Sequence, residues 1–397
     1  MRHSSKRIFA IALLAALAAL AAGCSTVTVA PSAPSAETPE DTTVRNAHWQ
    51  FDDAARPPAE LDGYRPPLKL AVLLPLSGDL ATPAASVRDG LLAGYYGERR
   101  TRPEIRFYDT ANASGGAIAA YNRAVADGAD QVLGPLGRDG VDAVFRNVQP
   151  GVPVLALNRG TVAPPFNSAS FSLAPEDEGS SAADDVAALG ARRVLVLSSG
   201  DDYARRSVDA FTAQLATHGG SVVQTLAVVS DEPADMTPLL QAAATGEGGI
   251  DAVFIALRGN QARAIAPQLA AAGLSVKPRV ATSQLLSGTG KAEQDRALDG
   301  IKFPTERWGL VPVNGLPAAA ETQQALPTAR GAAGKLFAFG YDAWLLTAYL
   351  QHLALAPEGS VTGATGTLRV GPEGNVLRTP QWSTFSNGYV VSLGSGG

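Results

Sequence analysis

The sequence predicts an α/β protein built from two successive, doubly wound lobes. Short apolar runs alternate with segments in which apolar residues recur every three or four positions, and this alternation is typical of a parallel sheet covered by helices. It begins at Lys69 and starts again at Arg193. A chain of 397 residues is long enough for two such lobes. No short tandem repeat is present, so a solenoid is not indicated.

The stretch from Lys69 to Gly97 predicts the first unit. Leu70–Leu74 is an apolar run of the right length for a strand buried on both faces. Pro75–Asp79 ends the strand, and apolar residues then fall at helical spacing between Val87 and Tyr95. Because ligands of open α/β sheets bind beyond the carboxyl ends of the strands, we expect any ligand to lie near this loop.

The remaining elements follow from the same reasoning. In the first lobe we expect strands at 104–108, 131–133 and 154–157, and helices at 117–126 and 140–147. In the second we expect strands at 193–197, 221–229, 252–256 and 279–282, and helices at 206–218, 236–244 and 261–272. A long helix is predicted at 339–355, followed by short strands up to Val391. The lobes would then comprise about 68–170 with 330–370, and about 171–329 with 371–397.

Residues 1–23 have the features of a bacterial lipoprotein signal peptide. Basic residues precede the apolar run Ile8–Ala22, whose 15 residues fall short of the ~20 that a membrane-spanning helix needs. The run ends in Leu20–Cys24, which resembles a lipobox with its leucine one place early. We expect Cys24, the only cysteine, to carry acyl chains that anchor the chain to a membrane. The alternative is an ordinary secretory signal cleaved after an Ala-x-Ala-like site.

Residues 24–67 are expected to form a disordered tether. The segment has seven prolines between Ser25 and Pro67 and no apolar periodicity. Trp49 and Phe51 are its only large apolar residues close together, and they could pack locally on the folded domain.

Composition and motifs argue against several functions. The net charge is −5 and no basic cluster is present, which argues against nucleic-acid binding. The sequence has no His-Glu-x-x-His, Gly-x-Ser-x-Gly or P-loop motif, so we predict no catalytic residue, cofactor or metal site. His218 stands at a predicted helix end and His352 within the late helix, where neither needs a catalytic role. The pair Asp201-Asp202 suits a cap of the following helix; metal or acid–base chemistry is the alternative.

Several motifs together resemble the type I periplasmic-binding-protein fold. They are Leu74–Gly78 after the first strand, Leu133–Leu136 after the third, Gly340–Ala343 opening the late helix, and Gly363–Leu368 with Gly374-Asn375 near the end. The resemblance covers Leu70 to Val391 and implies two α/β lobes of that fold, with a cleft between them.

A narrower set resembles the penicillin-binding protein activators of the LppC family. The set consists of 87–90, 153–158, Tyr203, 261–263, 267–269, 281–283, 298–303 with Trp308, and 378–388. The resemblance implies an outer-membrane lipoprotein on the periplasmic face that stimulates a bifunctional, class A penicillin-binding protein. Larger family members carry a helical-repeat domain ahead of this one, and here the predicted tether stands in that place. The alternative function is a lipid-anchored substrate-binding protein of an ABC importer for a small polar ligand.

The cleft of that fold would be lined by side chains at strand ends. The candidates are Ser77, Asn158, Ser199, Tyr203 and Gln284. Each could equally be a capping or turn residue. In amino-acid-binding relatives the loop after the Gly-Pro motif supplies hydroxyl groups, whereas here Gly137, Arg138 and Asp139 follow. The resemblance therefore argues against an ordinary amino-acid receptor.

Overall fold

The computed structural model describes residues 39–51, 56–111, 113–147 and 151–394. The predicted signal peptide, Cys24 and the first part of the predicted tether lie outside these residues. No helix in the described ranges is both long and apolar enough to cross a membrane.

Strands in the described residues form two sheets. They are β1 Lys69–Leu74, β2 Glu104–Asp109, β3 Gln131–Leu133, β4 Val154–Ala156, β5 Ser168–Ser170, β6 Arg193–Ser198, β7 Ser221–Ala227, β8 Ala252–Ala256, β9 Arg279–Ala281, β10 Lys302–Thr305, β11 Val361–Thr362, β12 Gly366–Val370, β13 Val376–Ser386 and β14 Tyr389–Ser392. The first sheet has the order β2-β1-β3-β4-β5 and is parallel throughout. The second has the order β11-β12-β13-β10-β9-β8-β6-β7, with β14 also paired to β13.

Helices in the described residues cover the sheets. They are α1 Pro39–His48, α2 Ala81–Gly97, α3 Ser114–Ala126, α4 Arg138–Phe145, α5 Pro175–Ala188, α6 Asp202–Thr217, α7 Thr237–Thr245, α8 Gly259–Ala271, α9 Ala292–Asp295, α10 Ala319–Ala325 and α11 Ala332–Leu355. The two doubly wound lobes of the type I periplasmic-binding-protein fold are thus confirmed. Helix α11 begins at Ala332, seven residues before the predicted start, and α5 was not predicted at all.

The α2–α11 pair shows why two of the motifs contain glycine. A Cβ on Gly90 would lie 1.8 Å from the Phe337 carbonyl oxygen, and a Cβ on Gly340 would lie 1.9 Å from that of Val87. The glycines therefore let the two helix backbones approach closely. This contact attaches the late helix to the first lobe.

Strand β13 belongs to both lobes. Its first residue, Val376, packs in the first lobe's core, and Phe385 near its end packs in the second lobe's core. Strand β12 pairs with β13, although Leu368 and Val370 of β12 also pack in the first core. The boundary expected at residue 370 therefore falls between two strands that are hydrogen-bonded to each other.

The structure differs from the prediction of a tether over 39–51 and 56–67. Arg45 of α1 is 4% exposed and donates to the carbonyl oxygens of Ala354 and Val370. Trp49 is 3% exposed, stacks on Phe51 and packs in the first lobe's core. A few buried anchors thus hold a proline-rich segment whose own pattern predicts no packing.

Candidate functional site

Helix α5 places an acidic first turn at the junction of the lobes. Pro175 stands at the helix start, where its missing N–H costs nothing, and Glu176, Asp177 and Glu178 follow. Carboxylates are favoured there by the positive end of the helix dipole. Small residues on the buried face, among them Gly179 and Ala182, let α5 pack closely against the rest of the second lobe.

Glu178 is the centre of a group of four polar residues. It is 2% exposed and accepts hydrogen bonds from the Ser283 backbone N–H and hydroxyl, both at 2.8 Å. The Lys335 ammonium lies 3.1 Å from Glu178 Oε1, 2.9 Å from Ser283 Oγ and 3.7 Å from Glu306 Oε1. We call Glu178, Ser283, Glu306 and Lys335 the Lys335 site. Lys335 comes from α11 on the first lobe, and Glu178 and Ser283 come from the second lobe. Glu306 follows β10 and precedes Trp308, which packs against α11.

The charges of this site decide the ionisation of Glu178. Burial by itself raises the pKa of a carboxyl group. Lys335, Arg378 and the two Ser283 donors outweigh that effect and hold the pKa of Glu178 below its ordinary value. The carboxylate is therefore charged at neutral pH, although it is almost fully removed from water.

Tyr203 borders the site. Its hydroxyl lies 3.5 Å from Ser283 Oγ. Burial, followed by the nearby Glu178 charge, raises the pKa of Tyr203 far above its ordinary value. The phenol therefore stays neutral, and its hydroxyl can donate or accept a hydrogen bond but carries no charge.

A second ion pair crosses the junction near the connecting strands. Arg159, just after β4, contacts Asp177 at 2.6 Å and donates to the Val376 carbonyl oxygen at 2.9 Å. Burial raises the pKa of Asp177 despite Arg159. Within the described residues, Asp177 Oδ2, Arg159 Nε and Arg378 Nε have no hydrogen-bond partner.

Of the predicted cleft residues, only Tyr203 contacts the Lys335 site. Gln284 follows Ser283 in the same 3₁₀ turn, and its carbonyl oxygen accepts from the Ser287 N–H. The Ser199 side chain is half-buried, and its backbone N–H donates to Ala256.

The other two candidates organise loops of the first lobe. Ser77 donates to Asp109 at 2.7 Å, and Asn158 donates to the Leu136 carbonyl oxygen at 2.9 Å. Ligand contact at all five residues stays a prediction.

The first residue of the pair Asp201-Asp202 caps α6. Asp201 Oδ1 accepts from the Ala204 N–H at 2.9 Å, which confirms the capping interpretation. Arg258 lies 3.4 Å from the same carboxylate. His218, at the carboxyl end of α6, contacts Asp184 at 2.7 Å.

Among the cavities formed by the described residues, two on the first lobe are large enough for a small molecule. One of about 340 Å³ is lined by the loops after β1, β2 and β3, including Thr110, Pro135 and Arg138. The other, of about 590 Å³, lies beside the end of α2 and includes Arg100, Tyr341 and Trp344. Within the described residues, no group of three or more histidine, cysteine, aspartate or glutamate side chains could hold a metal ion.

Sequence reasoning missed Glu178, Lys335 and Asp177. Ser283 and Arg378 did fall within family motifs, but neither was assigned a contact. The acidic start of α5 was a visible signal, since acidic residues favour a helix N-terminus. Nothing local to Lys335 indicates a partner 157 positions earlier in the chain.

Comparison with known proteins agrees with the resemblance to the LppC family. The sequence matches the family described as "LppC putative lipoprotein" over residues 63–388. A Pasteurella multocida protein named penicillin-binding protein activator LpoA is 26% identical over 333 residues, which are 82% of this chain and 55% of that protein. The chain spans about half the length of the curated relatives it matches.

Solved structures of several proteins share the architecture. The C-domain of LpoA from Haemophilus influenzae, described as a regulator of PBP1A, has a TM-score of 0.69 and 22% identity, and the match covers 82% of this chain and 99% of that one. A Chromobacterium violaceum structure described as a "putative branched-chain amino acid ABC transporter" has a TM-score of 0.62 and 29% identity, and the match covers 80% of this chain and 100% of that one.

Proposed function

This chain belongs to the LppC family, and on that premise we propose that it is a lipid-anchored, non-enzymatic activator of a class A penicillin-binding protein in peptidoglycan synthesis. The observation that carries the proposal is the family match, which spans both lobes from residue 63 to 388. Relatives named as penicillin-binding protein activators match 82% of the chain.

A protein without catalytic residues activates an enzyme by binding its active conformation more tightly than its resting one. A tenfold increase in rate needs ~1.4 kcal/mol of differential binding, which a modest interface supplies. The two lobes are expected to provide this interface without the lipid. The anchor and the preceding segment would set reach and local concentration in cells.

The test is reconstitution with the cognate bifunctional synthase. The soluble protein should start before Pro39, because Arg45 and Trp49 are buried against the first lobe. We expect the chain carrying Cys24→Ala, without its predicted signal peptide, to raise the rate of glycan polymerisation or crosslinking. The control is a synthase from a different class. A folded protein that binds the synthase and leaves both rates unchanged would refute the proposal.

Lipidation is proposed at Cys24, which lies outside the described residues. With this cysteine replaced by alanine, the full-length chain should remain uncleaved or appear in the soluble periplasmic fraction. Membrane fractionation and mass spectrometry of the N-terminus measure this result. If the variant matures normally and stays in the outer-membrane fraction, the proposed lipid anchor at Cys24 is refuted.

A second candidate is a substrate-binding protein of an ABC importer for a small polar ligand. It is favoured by the likeness to the Chromobacterium violaceum structure, whose whole chain is covered. A metabolite screen separates the two, because a ligand that binds the folded state raises Tm. A shift of several degrees with one metabolite, together with no effect on the synthase, would favour the importer.

A further inference from the structure

Lys335 occupies a position that its own helix does not favour. It lies in the first turn of α11, where the positive end of the helix dipole opposes a cation. Its side chain is 26% exposed and contacts Glu178 and Ser283 of the second lobe and Glu306 after β10. The contacts across the junction therefore explain its place better than the helix does.

The three residues around Lys335 have the chemistry of an ammonium-binding site. An ammonium group has three donors and binds best to carboxylates and hydroxyl oxygens. Here it meets two carboxylates and one hydroxyl, and the nearer carboxylate is held in place by the Ser283 backbone N–H and hydroxyl. The same three groups would bind the ammonium of a free primary amine.

We propose that the junction of the lobes contains an ammonium-binding site which the chain fills with its own Lys335, and that this internal ligand fastens the two lobes together. A free amine can enter only by displacing Lys335, which the chain itself holds at high local concentration. The class of ligand that the vacated site would take is a primary alkylammonium ion.

The fastening follows from the burial of Glu178. A buried carboxylate is costly unless it is paired and hydrogen-bonded. Without Lys335, it keeps the Ser283 donors and the nearby charge of Arg378 but no paired ammonium, and separation of the lobes would let water reach it. The loss of Lys335 should therefore shift the population toward a more open arrangement of the lobes.

The experiment measures the distance between the lobes by spin-label spectroscopy on the full-length chain. Labels at Asp79→Cys, after β1, and Glu232→Cys, after β7, stand at exposed positions on opposite lobes. Cys24→Ala removes the only native cysteine. We expect Lys335→Ala to give a longer, broader distance distribution and a lower Tm. Millimolar n-propylammonium replaces the three missing carbons and the nitrogen, so it should restore both readings.

Two controls separate this proposal from a general loss of stability. n-Propanol has nearly the same size without the charge and should not restore the distance. Lys302→Ala removes a lysine that is 29% exposed and paired with Asp185 inside the second lobe, so it should leave the distance unchanged. An unchanged distance in Lys335→Ala, or equal rescue by n-propanol, would overturn the proposal.

If Lys335→Ala does not fold, Glu178→Gln provides the second variant. It keeps the side-chain shape and removes the charge that binds the ammonium. We expect a longer inter-lobe distance that n-propylammonium does not restore. If the Glu178→Gln variant has the same inter-lobe distance as the unsubstituted chain, the site does not hold the lobes together and the proposal is refuted.

Discussion

Glu178 and Asp342 are both buried carboxyl groups, yet their surroundings shift their pKa values in opposite directions. Glu178 lies at the junction of the lobes and pairs with Lys335. Asp342 lies within α11, is 0% exposed, and accepts hydrogen bonds from the backbone N–H groups of Ala364 and Thr365 and from the Thr365 hydroxyl. Its contacts thus come from neutral donors.

The difference shows what a neighbouring cation contributes. For Glu178 the cation and donors outweigh burial, and the pKa is lowered. For Asp342 burial outweighs the donors from Thr365 and Ala364 together with the nearby charge of Arg378, and the pKa rises to about 6. Neutral donors and a charge that is not directly paired thus leave the burial of Asp342 uncompensated, whereas the directly paired ammonium of Lys335 keeps Glu178 ionised.

Lys335→Met should give the largest loss in stability. It leaves Glu178 buried without its cation, and breaking a buried pair in this way costs about 3–5 kcal/mol. Glu178→Gln should cost less, because Lys335 is partly exposed and still has Glu306. Urea denaturation of both single variants and the double variant measures the coupling. If Glu178→Gln is the more damaging substitution, Lys335 is not what compensates this carboxylate.

Asp342→Asn should change the dependence of stability on pH. The folded-state pKa of about 6 exceeds the ordinary value of 3.8, so between these values the folded protein binds more protons than the unfolded chain. The contribution of Asp342 is therefore present below about pH 4 and is lost as the pH rises to about 6, by about 3 kcal/mol.

The measurement is the free energy of unfolding of both proteins at a series of pH values. Between pH 4 and 6 the wild-type curve should fall relative to that of the Asn variant. Parallel curves over this range would show that the carboxyl group stays ionised and that its neutral donors suffice.

Ser283→Ala should have a smaller effect on stability. It removes the hydroxyl that donates to Glu178 and accepts from Lys335, while the backbone N–H bond to Glu178 remains. Hydrogen bonds to charged groups contribute about 1.5–3 kcal/mol, so the loss should lie in that range. No measurable change in the free energy of unfolding would mean that the hydroxyl is replaced by water.

Thr365→Val should have the smallest effect. Valine keeps the shape of the side chain and removes the hydroxyl that donates to Asp342, at a cost of about 1 kcal/mol. Because that donor favours the charged form, its removal should raise the pKa of Asp342 further. The pH-dependent part of the stability curve would then move to higher pH, and an unmoved curve would contradict the assigned hydrogen bond.

The sequence by itself determined the alternation of strands and helices. The apolar run Leu70–Leu74 and its successors are local patterns, and a strand buried on both faces leaves a continuous apolar signal. The Asp201 cap was also predictable, because it involves residues three positions apart. The motifs Gly340–Ala343 and Gly363–Leu368 were recognisable in the sequence. The hydrogen bonds that join them, from the Ala364 and Thr365 N–H groups to Asp342, were not.

Three features were decided only by the tertiary structure. They are the packing of α1 as a folded helix, the presence of α5 and the partners of Lys335. The buried face of α5 consists mostly of small residues, so its sequence has no strong amphipathic pattern. Helix α1 is held by a few anchors such as Arg45 and Trp49, whose partners are distant in the chain. Lys335 and Glu178 come from different lobes, and a charge pair of this kind exists only once both lobes have folded and met.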